Sequence, residues 1–385
     1  MNDPCFLVLE DGTVYKGKSF GARAPRVSEL RETKLTEKAA GEVVFNTGMA
    51  GYHEILTDPS YTGQIVVMTY PMIGNYGTDE DWTEIGPEAD DRSGIKTAGF
   101  VARKVYAGPL PSGRVSIDDF LKNNNTPGIF DIDTRGLTLK IRDFGSKNGV
   151  IVSTADGSSS LSEEDLSVCV DVLSKFPPME GRNLIGNVGV VEPVVQNPDG
   201  KPHFVLVDCG IKANIIRELL KRGCRITILP SDAAAEDILK VQADALLLSS
   251  GPGDPAVLDD LVKTTASLIG KIPVYGVCLG HQLISLALGA KTKKMKFGHH
   301  GVNHPVRDEF TGKVCVTSQN HGFVVDEESL PESVEVWFRN ANDKSIEGIR
   351  HKTLPVMCAQ FHPEAAPGPR DSSWIFDRFV DSIQK

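Results

Sequence analysis

Two rhythms of apolar and polar positions divide the chain. Over the first 155 residues the apolar positions come in short runs broken by glycine: Cys5–Leu9, Glu42–Phe45, Gln64–Tyr70, Gly99–Val105 and Gly149–Val152. Runs of this length, bounded by turn residues, predict strands. Only Ile117–Asn123 and Thr134–Phe144 carry helical spacing, so residues 1–155 read as a β-rich α/β domain with few helices. After His203 the rhythm changes. Phe204–Val207, Arg225–Leu229, Ala245–Leu248, Ile272–Val277 and Pro355–Phe361 are short apolar runs, and Asn214–Arg222, Ala234–Val241, Leu258–Ile269 and Gln282–Leu288 between them have helical periodicity. Strands that are apolar at successive positions, alternating with helices, predict a mostly parallel sheet flanked by helices over residues 203–385. Residues 156–202 read as a helical and proline-rich connector. Ser162 stands before Glu163, Glu164 and Asp165 as a helix start does, and prolines crowd Pro177 to Pro202. The charged stretch Arg23–Lys38 predicts an exposed loop or a short surface helix.

Composition narrows the class. The 385 residues carry 41 Lys plus Arg against 51 Asp plus Glu, a formal charge of −10. Net charge of this sign argues against holding nucleic acid or an anionic membrane. No apolar run approaches the roughly 20 residues of a membrane helix, and the first residues have neither the basic flank nor the apolar stretch of a secretory signal. The seven cysteines are an odd count with no Cys-x-x-Cys pair, which predicts reduced thiols and a cytoplasmic protein.

Candidate chemistry lies at the ends of the apolar strands, where open α/β sheets bind ligands. Gly276-Val277-Cys278-Leu279-Gly280 follows one such strand and leads into a helix. The G-x-C-x-G spacing has the mechanics of a nucleophile elbow: flanking glycines permit a sharp turn and lift the central side chain above the sheet. The helix start behind it favours a thiolate and aims the Leu279 N–H at a developing oxyanion. A second donor would come from the turn Ser250-Gly251-Pro252-Gly253-Asp254-Pro255. A cysteine nucleophile needs a base held by an acid, and Phe361-His362-Pro363-Glu364 supplies both at a predicted strand end. Most of the other cysteines read as buried structural residues.

These residues resemble a known family. Gly276–Gln282 (GVCLGHQ), Gly251–Pro255 (GPGDP) and Phe361–Glu364 (FHPE) are similar to the class I, or triad, glutamine amidotransferases over about residues 203–385. Met295–Pro305 (MKFGHHGVNHP), Gln319–Phe323 (QNHGF) and His362–Pro369 narrow the resemblance. So do Gly41–Thr47 (GEVVFNT), Leu56–Tyr61 (LTDPSY), Thr69–Gly77 (TYPMIGNYG) and Ile132–Leu137 (IDTRGL) in the N-terminal part. Together they resemble the small, glutamine-hydrolysing chains of carbamoyl phosphate synthetases over nearly the whole length. The resemblance implies Cys278 as nucleophile, His362 as base and acid, and Glu364 as its orienter. It implies that Gly251, Gly253, Leu279, Gln282, Asn320, Gly322 and Phe323 surround bound L-glutamine, with the Gly251 and Leu279 amides forming the oxyanion hole. The chain departs from the family pattern at Gly48, where some members carry a serine that contacts glutamine, and at Ser250, where asparagine is usual.

The resemblance also implies a large synthetase subunit, docked on the N-terminal domain, that uses ATP, magnesium and bicarbonate and receives ammonia through a tunnel. The product then feeds pyrimidine and arginine synthesis. No Walker A or G-x-G-x-x-G pattern occurs, so no cofactor is expected in this chain itself. His299, His300 and His304 are expected in a loop rich in glycine, asparagine and proline with no acidic ligand nearby, so no metal site is expected there. Asp79, Glu80, Asp81 and Glu84 read as a solvated acidic face. Two other classes stay open at this point: the glutaminase of a different amidotransferase, and a catalytically silent docking module.

Overall fold

The computed structural model describes residues 3–32, 38–87, 94–154 and 157–383. They form two compact units. The first holds the described residues up to Thr83 together with Gly94–Met179, and the second holds residues 84–87 and those from Glu180 onward. The segment read as a connector is therefore divided between them.

In the first unit β1 (Pro4–Leu9), β2 (Val14–Gly21), β3 (Ala40–Asn46), β4 (Gln64–Met68), β5 (Gly99–Ala102), β6 (Pro127–Phe130) and β7 (Lys147–Val152) close into a barrel in the order β1-β2-β6-β5-β4-β3-β7. The run β3-β4-β5-β6 is parallel, and parallel neighbours require crossovers. Helices α1 (Val27–Glu32), α2 (Tyr52–Thr57), α3 (Ile117–Asn123), α4 (Thr134–Phe144) and α5 (Glu163–Ser174) accompany the barrel. The start of α5 is the one read from its serine: Ser162 Oγ accepts from Asp165 N at 3.0 Å while the Asp165 carboxylate accepts from Ser162 N, a reciprocal cap. Helix α1 falls within the charged stretch Arg23–Lys38, and residues 33–37 of that stretch lie outside the described residues. Strand β2 had no signal in the apolar pattern. Its Lys16 and Lys18 face outward around a buried Gly17, where a Cβ would lie 2.4 Å from Phe130 O. Close approach between strands took the place of apolar alternation there.

The second unit is built on a ten-stranded sheet. Its strands are β8 (Val194–Gln196), β9 (His203–Asp208), β10 (Arg225–Pro230), β11 (Ala245–Leu248), β12 (Val274–Val277), β13 (Thr292–Asp308), β14 (Val314–Val325), β15 (Val334–Asn340), β16 (Ile346–His351) and β17 (Val356–Ala359). Their order is β8-β10-β9-β11-β12-β17-β16-β15-β13-β14. The centre, β10-β9-β11-β12-β17, is parallel. Burial on both faces explains its apolar strands. Val205, Val207, Leu246 and Leu248 pack on α7 (Ala235–Lys240), α8 (Asp259–Leu268) and α9 (Leu279–Ala287), while Phe204, Leu206, Ala245 and Leu247 pack on α6 (Ala213–Lys221) and α10 (Trp374–Ile383). Each of the valine, leucine and phenylalanine side chains contributes about 1.5–3 kcal/mol by leaving water.

From β17 outward the neighbours are antiparallel. The stretch around His299, His300 and His304 belongs to the seventeen-residue strand β13, with breaks in register between Lys294 and His299 and between Gly301 and His304. The expected loop is therefore strand, and bulges accommodate its glycines and asparagine within the ladder.

Candidate active site

Cys278 sits between β12 and α9 with φ 54° and ψ −104°, a backbone conformation that costs a non-glycine residue roughly 1–3 kcal/mol. Its flanking glycines are there for space. A Cβ on Gly276 would lie 2.6 Å from Gly280 C, and one on Gly280 would lie 2.1 Å from Leu248 O. The elbow is thus clamped directly onto the sheet, and Leu279, as first residue of α9, has an N–H with no acceptor inside the helix. Gly251 closes the other side. A Cβ there would meet Cys209 O at 2.1 Å and the Leu279 side chain at 3.0 Å, so the turn that holds Gly251 packs against the first residue of α9.

The loop after β17 brings the histidine expected to act as base. His362 Nδ1 lies 2.6 Å from Glu364 Oε1, and Nε2 has no hydrogen-bond partner among the described residues. Both side chains are buried. Burial favours neutral imidazole, but the Glu364 carboxylate and then Cys278 outweigh it and push the His362 pKa up. Glu364 is held below the ordinary carboxylate range: burial opposes this, and Lys212 ahead of His362 overcomes it. The Lys212 ammonium, 1% exposed, lies 3.3 Å from Glu364 Oε1 and donates to Ala365 O at 2.6 Å. Asn214 Nδ2 donates to the Glu364 carbonyl.

Three groups here were not anticipated. Lys212 stands just beyond the apolar strand β9, a position that offers no periodic signal. Glu84 was read as part of a solvated acidic face; instead it is 1% exposed and its Oε1 lies 2.9 Å from Arg217 Nη1. Burial pushes its carboxyl up to about 8, against the pull of Lys212 and Arg217. Its Oε2 and backbone O accept from the N–H groups of Asn214 and Ala213, so it caps α6, a helix whose own residues provide no side-chain cap. The third is Gln360, fully buried, with Nε2 3.7 Å from Cys278 Sγ.

Of the residues expected around glutamine, Gln282, Asn320 and Phe323 come together beside the thiol. Cys278 Sγ lies 3.5 Å from Asn320 O, and Gln282 Nε2 donates to Phe323 O at 2.9 Å. Asn320 Oδ1 lies 3.0 Å from His300 Nδ1. Gly322 is in β14 between them, with the Lys294 ammonium at its open face. Gly253, in the turn after β11, has φ 97° and packs on Arg182 O and Leu184.

His299 of β13 has acidic neighbours after all, Asp343 from the turn between β15 and β16 and Glu347 from β16. His299 Nε2 is 2.8 Å from Asp343 Oδ2 and Nδ1 is 3.3 Å from Glu347 Oε1. His299, His321 and Glu347 bring their donor atoms within 4.8 Å of one another. His321 already has Phe323 O and Gln319 Oε1 at its two nitrogens, and His299 faces a carboxylate with each of its own. The set reads as a charge network joining β13, β14, β15 and β16.

Comparison with known proteins decides the family. The profile described as "Carbamoyl-phosphate synthase small chain, CPSase domain" matches residues 7–151, and "Glutamine amidotransferase class-I" matches residues 205–382. The carbamoyl phosphate synthase small chain of Methanocaldococcus jannaschii is 47% identical over 97% of each chain, and that of Archaeoglobus fulgidus is 44% identical over 98% of each. This chain belongs to the carbamoyl phosphate synthase small-chain family. The Aquifex aeolicus small chain aligns over the full length of both at 42% identity. Among solved structures, a glutamine amidotransferase from Thermotoga maritima is similar at 18% identity and a TM-score of 0.35, covering 47% of this chain and 84% of that one. No helix among the described residues is long and apolar enough to cross a membrane.

Proposed function

We propose that this small chain hydrolyses L-glutamine through Cys278, His362 and Glu364 and passes the ammonia to a large subunit that makes carbamoyl phosphate. One observation carries the reading: a strained cysteine at a helix start, beside a histidine with one nitrogen on a buried carboxylate and the other unclaimed. The Cys278 sulfur attacks the side-chain amide carbon, and the oxyanion is received by the Leu279 and Gly251 amides. His362, whose raised pKa suits it to act first as an acid, gives its proton to the nitrogen as the C–N bond breaks. Ammonia leaves and a glutamyl thioester remains. Neutral His362 then takes a proton from water, the hydroxyl adds to the thioester carbon, and glutamate departs with the sulfur restored.

Gly251, Gly253, Leu279, Gln282, Asn320, Gly322 and Phe323 would hold the amino acid. ATP, magnesium and bicarbonate would be handled by the large subunit. Ammonia in neutral water is mostly protonated and no longer nucleophilic, so a shielded passage between the two sites is the economical arrangement. Glutamate release from glutamine, measured in the presence and absence of the large chain with ATP and bicarbonate, tests this. The expected result is weak activity alone, a strong rise in the complex, and loss of both in Cys278→Ala. Full activity in Cys278→Ala overturns it.

A further inference from the structure

Gln360 is the buried polar side chain nearest the nucleophile that the scheme above leaves unused. Its backbone N–H is tied to Glu347 O at 2.7 Å, so the residue is set firmly on the sheet just before the His362 loop. Its side chain completes a chain of three hydrogen bonds: Gln282 Nε2 donates to Phe323 O at 2.9 Å and to Gln360 Oε1 at 3.0 Å, and Gln360 Nε2 donates to Cys278 Sγ at 3.7 Å.

The direction of that chain is fixed by its anchor. A backbone carbonyl only accepts, so Phe323 O dictates that Gln282 presents its NH2 end. That NH2 group then dictates that Gln360 presents Oε1 to it, and the Gln360 NH2 is left facing the sulfur. Turning either amide over would set donor against donor or oxygen against oxygen. The other close neighbour of the sulfur, Asn320 O at 3.5 Å, is an acceptor. It can hold a thiol proton and can only repel a thiolate.

We propose that Gln360 is a further catalytic residue, an N–H donor that stabilises the Cys278 thiolate and ties the nucleophile to the glutamine-recognition residue Gln282. It rests on Cys278 being the nucleophile. Gln360 supplies what Asn320 O cannot once the proton has gone to His362, and it does so without carrying a charge of its own.

The test uses the full chain in complex with its large partner, and the chloroketone analogue of glutamine, 2-amino-4-oxo-5-chloropentanoate, as probe. Its limiting inactivation rate reads the sulfur, and its half-saturation reads binding. A hydrogen bond to a charged acceptor corresponds to roughly 10–100-fold in rate. Gln360→Met, close in shape but without the donor, is expected to lower the limiting rate about tenfold with half-saturation changed no more than about threefold. It should also move the pH midpoint of inactivation upward. Gln360→Glu keeps the acceptor for Gln282 but turns an oxygen toward the sulfur, so its loss should be larger and should ease as pH falls and the carboxyl protonates.

A merely structural Gln360 would raise half-saturation and leave the midpoint in place, and that result overturns the proposal. In wild-type protein the Gln360 side-chain amide resonances should shift with the same midpoint; resonances indifferent to the titration overturn it even if neither variant folds. Probe labelling and full glutaminase activity in Cys278→Ala would instead overturn the nucleophile assignment itself.

Discussion

The second unit holds two buried histidine–carboxylate clusters, and they are built to opposite ends. At the proposed triad His362 gives one nitrogen to Glu364, has no carboxylate at the other among the described residues, and has the thiol of a strained elbow nearby. In the antiparallel part of the sheet His299 sits between Asp343 and Glu347, a carboxylate at each nitrogen. Both imidazoles have raised pKa values: against burial, Glu364 leads for His362, and Asp343 with Glu347 lead for His299, which reaches about 9. A shifted pKa therefore does not distinguish chemistry from architecture. What stands at the second nitrogen does: Glu347 lies 3.3 Å from His299 Nδ1, whereas among the described residues no carboxylate pairs with His362 Nε2. A proton can be handed on only where the ring has a face not already committed.

The comparison breaks most sharply at Cys278. Cys278→Ala should lower glutamine-dependent turnover by about 10⁴-fold or more, as loss of a nucleophile does in triad hydrolases, while ammonia-dependent carbamoyl phosphate synthesis by the complex persists. Steady-state assays with each nitrogen source check this. Glu364→Gln comes next. It keeps the shape but removes the charge that aligns and supports protonated His362, so kcat should fall about 10²–10⁴-fold, with KM changed much less. If instead kcat survives, Glu364 belongs with Glu347 as a structural carboxylate.

The opposite outcome is expected across the sheet. His299→Gln leaves Glu347 buried without its counter-charge, and breaking a buried pair costs about 3–5 kcal/mol, seen as a lower unfolding midpoint in urea. Turnover at a temperature where the variant stays folded should remain within about threefold of wild type, since His299 does not touch the reacting atoms. The smallest effect is in pH. His299 binds its proton more strongly folded than unfolded, so its contribution is fully present below about 6.5 and is lost as pH rises through about 9. Urea midpoints measured across that window should fall less steeply in His299→Gln than in wild type. Parallel slopes would mean the cluster does not carry the proton assigned to it.

Much of this was legible along the chain, for identifiable reasons. β9, β11 and β12 are buried on both faces, so their apolar character is a local property. The elbow was legible because Gly276 and Gly280 each sit where a Cβ would strike backbone, a constraint written into two positions. Strand β2 was not, because Gly17 and two outward lysines gave it no apolar rhythm. Glu84 was not, because four acidic residues in a row of six resemble a wetted face, and only Arg217, more than a hundred residues on, turns one of them inward. Gln360 left no mark either, since a single amide before Phe361 acquires meaning only from the sulfur it faces.

What the sequence by itself determined is the periodicity of the two units, the elbow, the adjacent histidine and glutamate, and the family to which these motifs belong. All are short-range patterns, set by sterics and burial within a few residues. What only the tertiary structure decided is which charges share a dry interior: Lys212 with Glu364, Glu84 with Arg217, His299 with Asp343 and Glu347, and the amide chain from Phe323 to Cys278. Electrostatic and hydrogen-bond energies depend on separation and on exclusion of water, and both are settled by the packing of strands far apart in the chain.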